Sequence, residues 1–519
     1  RSKRSVRSLS SLSQLLTPKK QMSTITLPRN SNQVIGLAEY SKEFMAQDPK
    51  KIDQEVYDRV ALFHSDALLC GVSALALKTN APNLLRNEAI HQYSISPDKK
   101  ASTGPGMVRV GKCIGSKVWV HAEKAIAANC AAVREWDSNG TVFGYNPNIP
   151  GHQAGEFGHN DYYPVVIAAC QNNQAIQGID ALKAMILLDE IRGRLAEVFS
   201  LKSYKIDHVV HGGIASAVVY GTLLGATAAQ IEAAVGMLVA HYIPWRAIRA
   251  GKQLSDSKGS SAALTTEAAA VCVHRAMAGF IGPKDIFRNP EAIFRHFEPT
   301  QSDEFAPFDL VLTQRGSDFS LMGMHFKLGL YEHQSASAIE GLIQLFSKNA
   351  KAILGEGPDN IEKVVITGYK TAFGIIGDPA KRNPQSRQSA DHSMVYIIAT
   401  ILKKALNKYD QLLENQGSLE KLWKTLILTP FDYKESAITN TLTRQLMSKI
   451  EFEYGGKEYD DKYPEGIPTS VKIQTKAETF DSGIIMFPGG HARNTEVNLH
   501  EILRHKFKIL GKVAVENQQ

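Results

Sequence analysis

Between residues 135 and 161 the chain reads EWDSNGTVFGYNPNIPGHQAGEFGHND, and Asp137, Thr141, His152 and His159 stand in it without helical or strand periodicity. A carboxylate and imidazoles in one loop suit proton transfer: one group removes a proton beside a substrate carboxylate, and another helps a hydroxyl leave. Further along come His208, His211, Lys252, Lys258, Lys327 and His333. Lysines and histidines around one pocket would hold carboxylates and stabilise the carbanion-like charge left when the proton departs. The combination points to proton chemistry on a small polyanion. Other chemistries lack their signatures: no Gly-rich dinucleotide fingerprint follows a strand, and there is no Walker loop and no GxSxG elbow. Cys70, Cys113, Cys130, Cys170 and Cys272 form no CxxC pair, so neither an iron–sulfur cluster nor a structural zinc site is expected. His208 and His211 have the i, i+3 spacing of a helical metal pair, but no HExxH motif accompanies them. No metal and no other cofactor is expected.

The elements that must position these residues can be read around them. A loop this long inside a compact domain is usually functional, and Phe143, Tyr145, Ile149, Phe157, Tyr162 and Tyr163 give it apolar anchors. The Ala-rich HAEKAIAANCAAVREW predicts a helix that stops near Asp137, where Asn139-Gly140 signals a turn. Residues 164–282 read as successive helices rich in Ala and other small residues, which can pack into an all-α bundle. The connector AIRAGKQLSDSKGSSAAL (247–264) brings Lys252 and Lys258 to a helix start, where free backbone N–H groups favour an anion. Past residue 320 the character changes. Lys327 and His333 precede a helix, then EKVVITGYKTA, MSKIEFEYG and TSVKIQTKAETFDSG read as strands of an antiparallel sheet. The expected fold is mainly α: a large all-helical domain (35–321), a smaller α+β lid domain (322–495), and a C-terminal helix (496–519) returning to the helical domain. A cleft between the two domains is the default site.

The first 38 residues contain no Asp or Glu, are rich in Ser and Thr, and hold seven Lys and Arg. That composition predicts a mitochondrial transit peptide or basic tail over 1–34, and a place in the mitochondrial matrix. Removing those seven from the chain's 59 Lys and Arg leaves 52, equal to its 52 Asp and Glu. The body is therefore near neutral and no nucleic-acid partner is expected. Residues 212–231 are uncharged and as long as a membrane span. Gly212, Gly213, Gly221, Gly225 and the Thr227–Gln230 capping box instead predict two buried helices broken near Gly225, and no membrane partner.

The run Asp137-Ser-Asn-Gly-Thr141, followed by Gly158-His159-Asn-Asp161, resembles the D-x-x-x-T…GH signature of the MmgE/PrpD family. Asp207-His208, the Lys252–Lys258 loop before an Ala-rich helix, and Lys327 with His333 follow in the family's order, so the resemblance covers 35–519. The family includes 2-methylcitrate dehydratases and cis-aconitate decarboxylases. The likeness is nearest to the fungal mitochondrial members that dehydrate 2-methylcitrate in the methylcitrate cycle of propionate catabolism. It implies a helical domain with an α+β lid, a small tricarboxylate substrate, metal-independent elimination of water to give 2-methyl-cis-aconitate, and a homodimer. Citrate is a candidate side substrate, since one methyl group is worth only about 1–3 kcal/mol of discrimination. The resemblance further implies His159 as the main proton-transfer group with Asp137 and Lys327 as its catalytic partners. Thr141, His208, Lys252, Lys258 and His333 would bind substrate, with either Lys252 or Lys258 serving as the family's loop lysine. The stretch from Thr141 to His159 is longer here than the family pattern. A decarboxylase of the same fold and a non-catalytic binding protein remain open as alternatives.

Overall fold

The computed structural model describes residues 23–96, 108–143, 156–249, 253–375 and 381–516. The architecture is mainly helical, a large helical domain joined to a smaller mixed α/β domain. At the bundle centre, the helix Val209–Leu223 is buried at every position but Thr222. A helix apolar all round belongs in a core, and this one packs against the helices Gly178–Val198, Ala228–His241 and Asp256–Met277. Its small residues permit the close approach: a Cβ on Gly212 would lie 2.0 Å from Cζ of Tyr162, and one on Gly213 2.6 Å from Cγ2 of Thr265. The break expected near Gly225 is there, with Gly225 at φ +80 and Thr227 and Gln230 forming a reciprocal capping box.

The helix Ala122–Arg134 brings the chain to the central loop and is buried from Ala125 to Arg134. It lies against Gln54–Ala76, Asn80–Gln92 and Asp256–Met277. Gln54–Ala76 is the one described helix long and apolar enough to cross a membrane. Here it packs on Ala122–Arg134 and on the C-terminal helix Leu499–Glu516. The loop itself holds a two-stranded ribbon, Thr141–Phe143 with Glu156–His159, in which Thr141 pairs with His159. Strands this short carry too few alternations for a period to show in sequence.

The smaller domain is built on a four-stranded sheet in the order Thr479–Asp481, Thr469–Thr475, Ile361–Gly368, Ile450–Tyr454. The sheet is mixed, which corrects the antiparallel expectation. Ile361–Gly368 runs antiparallel to Thr469–Thr475 but parallel to Ile450–Tyr454. The reason is the connection: a helical crossover that includes Met394–Asn407 returns the chain to the starting end before Ile450. The fold also begins earlier than the 1–34 tail boundary read from composition. Ser23–Leu27 pairs antiparallel with Leu310–Arg315, and Arg29 forms an ion pair with Asp309 at 3.0 Å. Residues 1–22 lie outside the described residues. The helix Leu499–Glu516 touches both domains, packing on Gln54–Ala76 and on Leu419–Leu426.

Candidate active site

Asp137 is the hub. It follows the helix Ala122–Arg134 in a left-handed conformation (φ +48), a region that Asp tolerates better than most residues. This turn points its carboxylate back at the helix end. Arg134 donates to Oδ1 at 2.5 Å. Lys327 Nζ donates to the same oxygen at 2.6 Å and to the backbone carbonyl of Asp137 at 2.8 Å. On the other oxygen, Oδ2, His392 Nε2 stands at 2.9 Å and Lys258 Nζ at 3.4 Å. Asp137, Arg134, Lys258 and Lys327 are all buried.

The loop is stitched to the segment that opens the smaller domain. Thr141 exchanges two backbone hydrogen bonds with His325 (2.9 and 3.0 Å), and Ser138 Oγ donates to the carbonyl of Gly329 at 2.7 Å. From behind, Lys506 of the C-terminal helix donates to the carbonyls of Ser138 (2.7 Å) and Lys327 (2.8 Å) and pairs with buried Asp66 at 2.6 Å. Position 137 is therefore gripped from three elements distant in sequence.

A second layer surrounds His392. Asp391 Oδ1 lies 2.5 Å from His392 Nδ1, and Arg387 holds Asp391 Oδ2 at 2.8 Å. Arg387 also reaches Glu135, at 2.7 Å to its carbonyl and 2.8 Å to its carboxylate. Asp161 sits on the far side of Arg134 at 3.6 Å and accepts from Asn139 at 2.6 Å. Beyond Lys327, His333 Nε2 is 3.1 Å from His325 Nδ1, and the His325 ring lies against His491 with centroids 3.7 Å apart and planes tilted by 37°. The buried polar atoms without a hydrogen-bond partner among the described residues include Nδ1 of His333, Oγ1 of Thr141 and Oδ1 of Asn139. Buried polar groups are almost always paired, so such orphans mark room for a polar ligand.

The electrostatics divide the work. Burial alone would raise the Asp137 carboxyl, but Arg134 first, then Lys258, Lys327 and His392, outweigh it and hold it well below its usual range. Asp137 is therefore held as an anion by the cations around it. Burial pushes Lys258 down to about 8, and Lys327 down as well, with Asp137 opposing the shift in both. Burial also drives His208, His325 and His333 well below the ordinary imidazole value. At neutral pH these three are uncharged; they can donate a hydrogen bond but supply no positive charge.

Of the residues singled out from sequence, Asp137, Lys258 and Lys327 converge within 3.4 Å of one carboxylate, and His333 stands behind Lys327. His208 stands immediately before Val209–Leu223 beside Asp207 (3.5 Å), which Arg249 also holds, and it feels the charge of Arg134. His159 has its backbone opposite Thr141. Its side chain, and the whole of His152 and Lys252, lie outside the described residues. Sequence reading missed Arg134, Asp391, His392, His325, His491 and Lys506. Arg134 carried a signal, since it precedes Asp137 by three positions at a helix end. Asp391-His392 stood in plain view before a helix but was read only as part of it.

Asp137, Asp391 and His392 bring ligand atoms within 4.8 Å of one another, a spacing a metal ion uses. Lys258 and Lys327 already point their ammonium groups at these carboxylates, and a divalent cation would have to sit against that charge. The donor set suits an anionic guest better.

Comparison with known proteins matches two regions of the chain. Residues 36–306 match the MmgE/PrpD N-terminal domain, and residues 331–417 match the MmgE/PrpD C-terminal domain. A relative named 2-methylcitrate dehydratase from Escherichia coli (strain K12) is 24% identical over 334 residues, covering 63% of this chain and 62% of the relative. One of the same name from Salmonella typhi is 23% identical over 345 residues, covering 65% of each. In both cases the match spans less than two thirds of the relative. With the N-terminal domain match alone spanning over half its length and the C-terminal domain match following it, the chain belongs to the MmgE/PrpD family.

Proposed function

We propose that this chain is a hydro-lyase that removes water from 2-methylcitrate to give 2-methyl-cis-aconitate. The observation that carries the reading is the convergence of Arg134, Lys258 and Lys327 on the buried carboxylate of Asp137. Lys258 and Lys327 present their ammonium groups side by side on Asp137, and the carboxylates of a tricarboxylate join Asp137 as their partners. The orphaned Thr141 hydroxyl and His333 Nδ1 supply neutral hydrogen bonds to the same guest. Charge that builds on the substrate when a proton leaves the carbon beside a carboxylate is stabilised by the lysines already in contact. His159, whose backbone lies opposite Thr141, is the base that removes this proton. The names of the relatives support the choice of substrate. Citrate fits as a weaker substrate, because one methyl group is worth about 1–3 kcal/mol of discrimination. The proposal includes a homodimer and a mitochondrial-matrix location, the latter supported by the basic, acid-free composition of residues 1–38.

The test is ultraviolet absorbance of the new conjugated carboxylate, with 2-methylcitrate, citrate and cis-aconitate offered separately in the presence of a chelator. A rise with 2-methylcitrate that is lost in Lys327→Met supports the reading. No rise with either hydroxy acid, together with carbon dioxide released from cis-aconitate, makes the chain a decarboxylase instead.

A further inference from the structure

We propose that His392 is the acid that protonates the departing hydroxyl, with Asp391 as its positioning residue. The inference rests on the dehydratase reading and deepens it. Asp391 Oδ1, 2.5 Å from His392 Nδ1, assigns a proton to that nitrogen, and the Arg387 bond to the other carboxylate oxygen fixes the plane of the pair. A carboxylate behind one imidazole nitrogen orients the ring and leaves the other nitrogen as the working atom. That atom, Nε2, points at Asp137 Oδ2 from 2.9 Å. With a carboxylate facing each nitrogen, the protonated ring donates from both, which is the arrangement an acid needs. Lys258 stands 3.1 Å from the ring at Nδ1 and 3.4 Å from Asp137 Oδ2, so a substrate carboxylate held by Lys258 lies beside the ring.

His392 is also the group of this hub that faces outward. Its side chain is 13% exposed, against 4% or less for Arg134, Asp137, Lys258, Lys327 and Asp391. The competing groups are less suited. Asp137 is saturated by cations, and His325 and His333 face one another behind Lys327.

The step balances as follows. The base takes the proton from the carbon beside a substrate carboxylate, and that C–H electron pair becomes the new C=C bond. The C–O bond breaks with its pair going to oxygen, and Nε2–H transfers its proton to that oxygen, so water leaves. The ring is left neutral with Nδ1–H still bonded to Asp391, and the proton on the base returns to Nε2 through solvent.

The experiment compares two leaving groups. Fluoride departs without a proton, so the analogue of 2-methylcitrate with fluorine in place of the hydroxyl bypasses the acid while using every other part of the site. His392→Gln is expected to lose water elimination by about 10²–10⁴-fold in kcat with little change in KM, yet to release fluoride from the analogue at close to the wild-type rate. Asp391→Asn, which keeps the shape of the pair, is expected to show the same selectivity in milder form and an altered pH profile for water elimination only. Equal loss on both substrates, or an unimpaired His392→Gln, overturns the assignment of His392. A wild-type protein that eliminates neither water nor fluoride overturns the dehydratase reading, and this proposal with it.

Discussion

Lys506 donates a hydrogen bond to the backbone carbonyl of Lys327 at 2.8 Å, although the two residues are 179 positions apart. The same ammonium group holds the carbonyl of Ser138 and the carboxylate of Asp66, all out of contact with water. The C-terminal helix thus sets the backbone on both sides of the hub: the residue after Asp137 and the lysine that grips it.

Lys506→Met should therefore cost both stability and activity. Removing one partner of a buried ion pair typically costs about 3–5 kcal/mol, because the other charge is left uncompensated. Chemical denaturation measures that loss. The double variant Asp66→Leu with Lys506→Met should recover much of the stability but not the activity, since the carbonyls of Ser138 and Lys327 still lack their donor. Recovery of full activity in the double variant would show that Lys506 only balances Asp66.

The clustered histidines predict acid sensitivity above the carboxylate range. His325, His333 and His491 are pushed below the ordinary value of 6.5, chiefly by burial, with His491 down to about 3. A folded-state value below the unfolded one means the unfolded chain binds more protons between the two. Stability is therefore full above about 6.5 and falls as pH drops below it, by up to about 1.4 kcal/mol per pH unit for each such histidine. For His491 the window runs from 6.5 to about 3. Asp137, depressed below 3.8, adds its loss only beneath that value. Melting temperatures between about pH 7 and about pH 5 thus report the histidines, and His491→Gln should flatten the slope. A wild-type melting temperature that is constant over that range would contradict the buried neutral assignment.

Lys258 predicts a limit on the alkaline side. Burial lowers it to about 8, so the free site loses this charge as pH rises through that value. Binding of a polyanion should weaken there, seen as a rising KM with kcat changing less. Lys258→Arg keeps its charge throughout, because a guanidinium does not deprotonate in this range. Its KM should therefore stay flat above about pH 8, even if the altered geometry lowers kcat. A KM in the arginine variant that climbs in parallel with wild type would assign the effect to another group.

Much of the scaffold was readable along the chain. The helix ahead of Asp137, the Thr227–Gln230 cap, the Gly225 break and the passage from bundle to sheet all depend on interactions within about four residues, through helical periodicity, capping and turn chemistry. The parallel pairing of Ile361–Gly368 with Ile450–Tyr454 was not readable, because strand direction depends on the route of the crossover between them. The ribbon at Thr141 was too short to leave a period.

The site divides along the same line. By itself the sequence determined which residues were chemically able, and in Asp137, Thr141, Lys258, Lys327 and His333 it marked groups that the fold does bring to one region. Only the tertiary structure decided what each can do. Lys258 and Lys327 lie 121 and 190 positions from Asp137, and no local rule sets their distance to it. The cations gathered around Asp137 hold it as an anion, and the nearby histidines are kept neutral by their own burial. The fold also makes Asp391-His392 part of the site. Charge state depends on desolvation and on neighbours within a few ångströms, and in a folded chain those neighbours come from everywhere in the sequence.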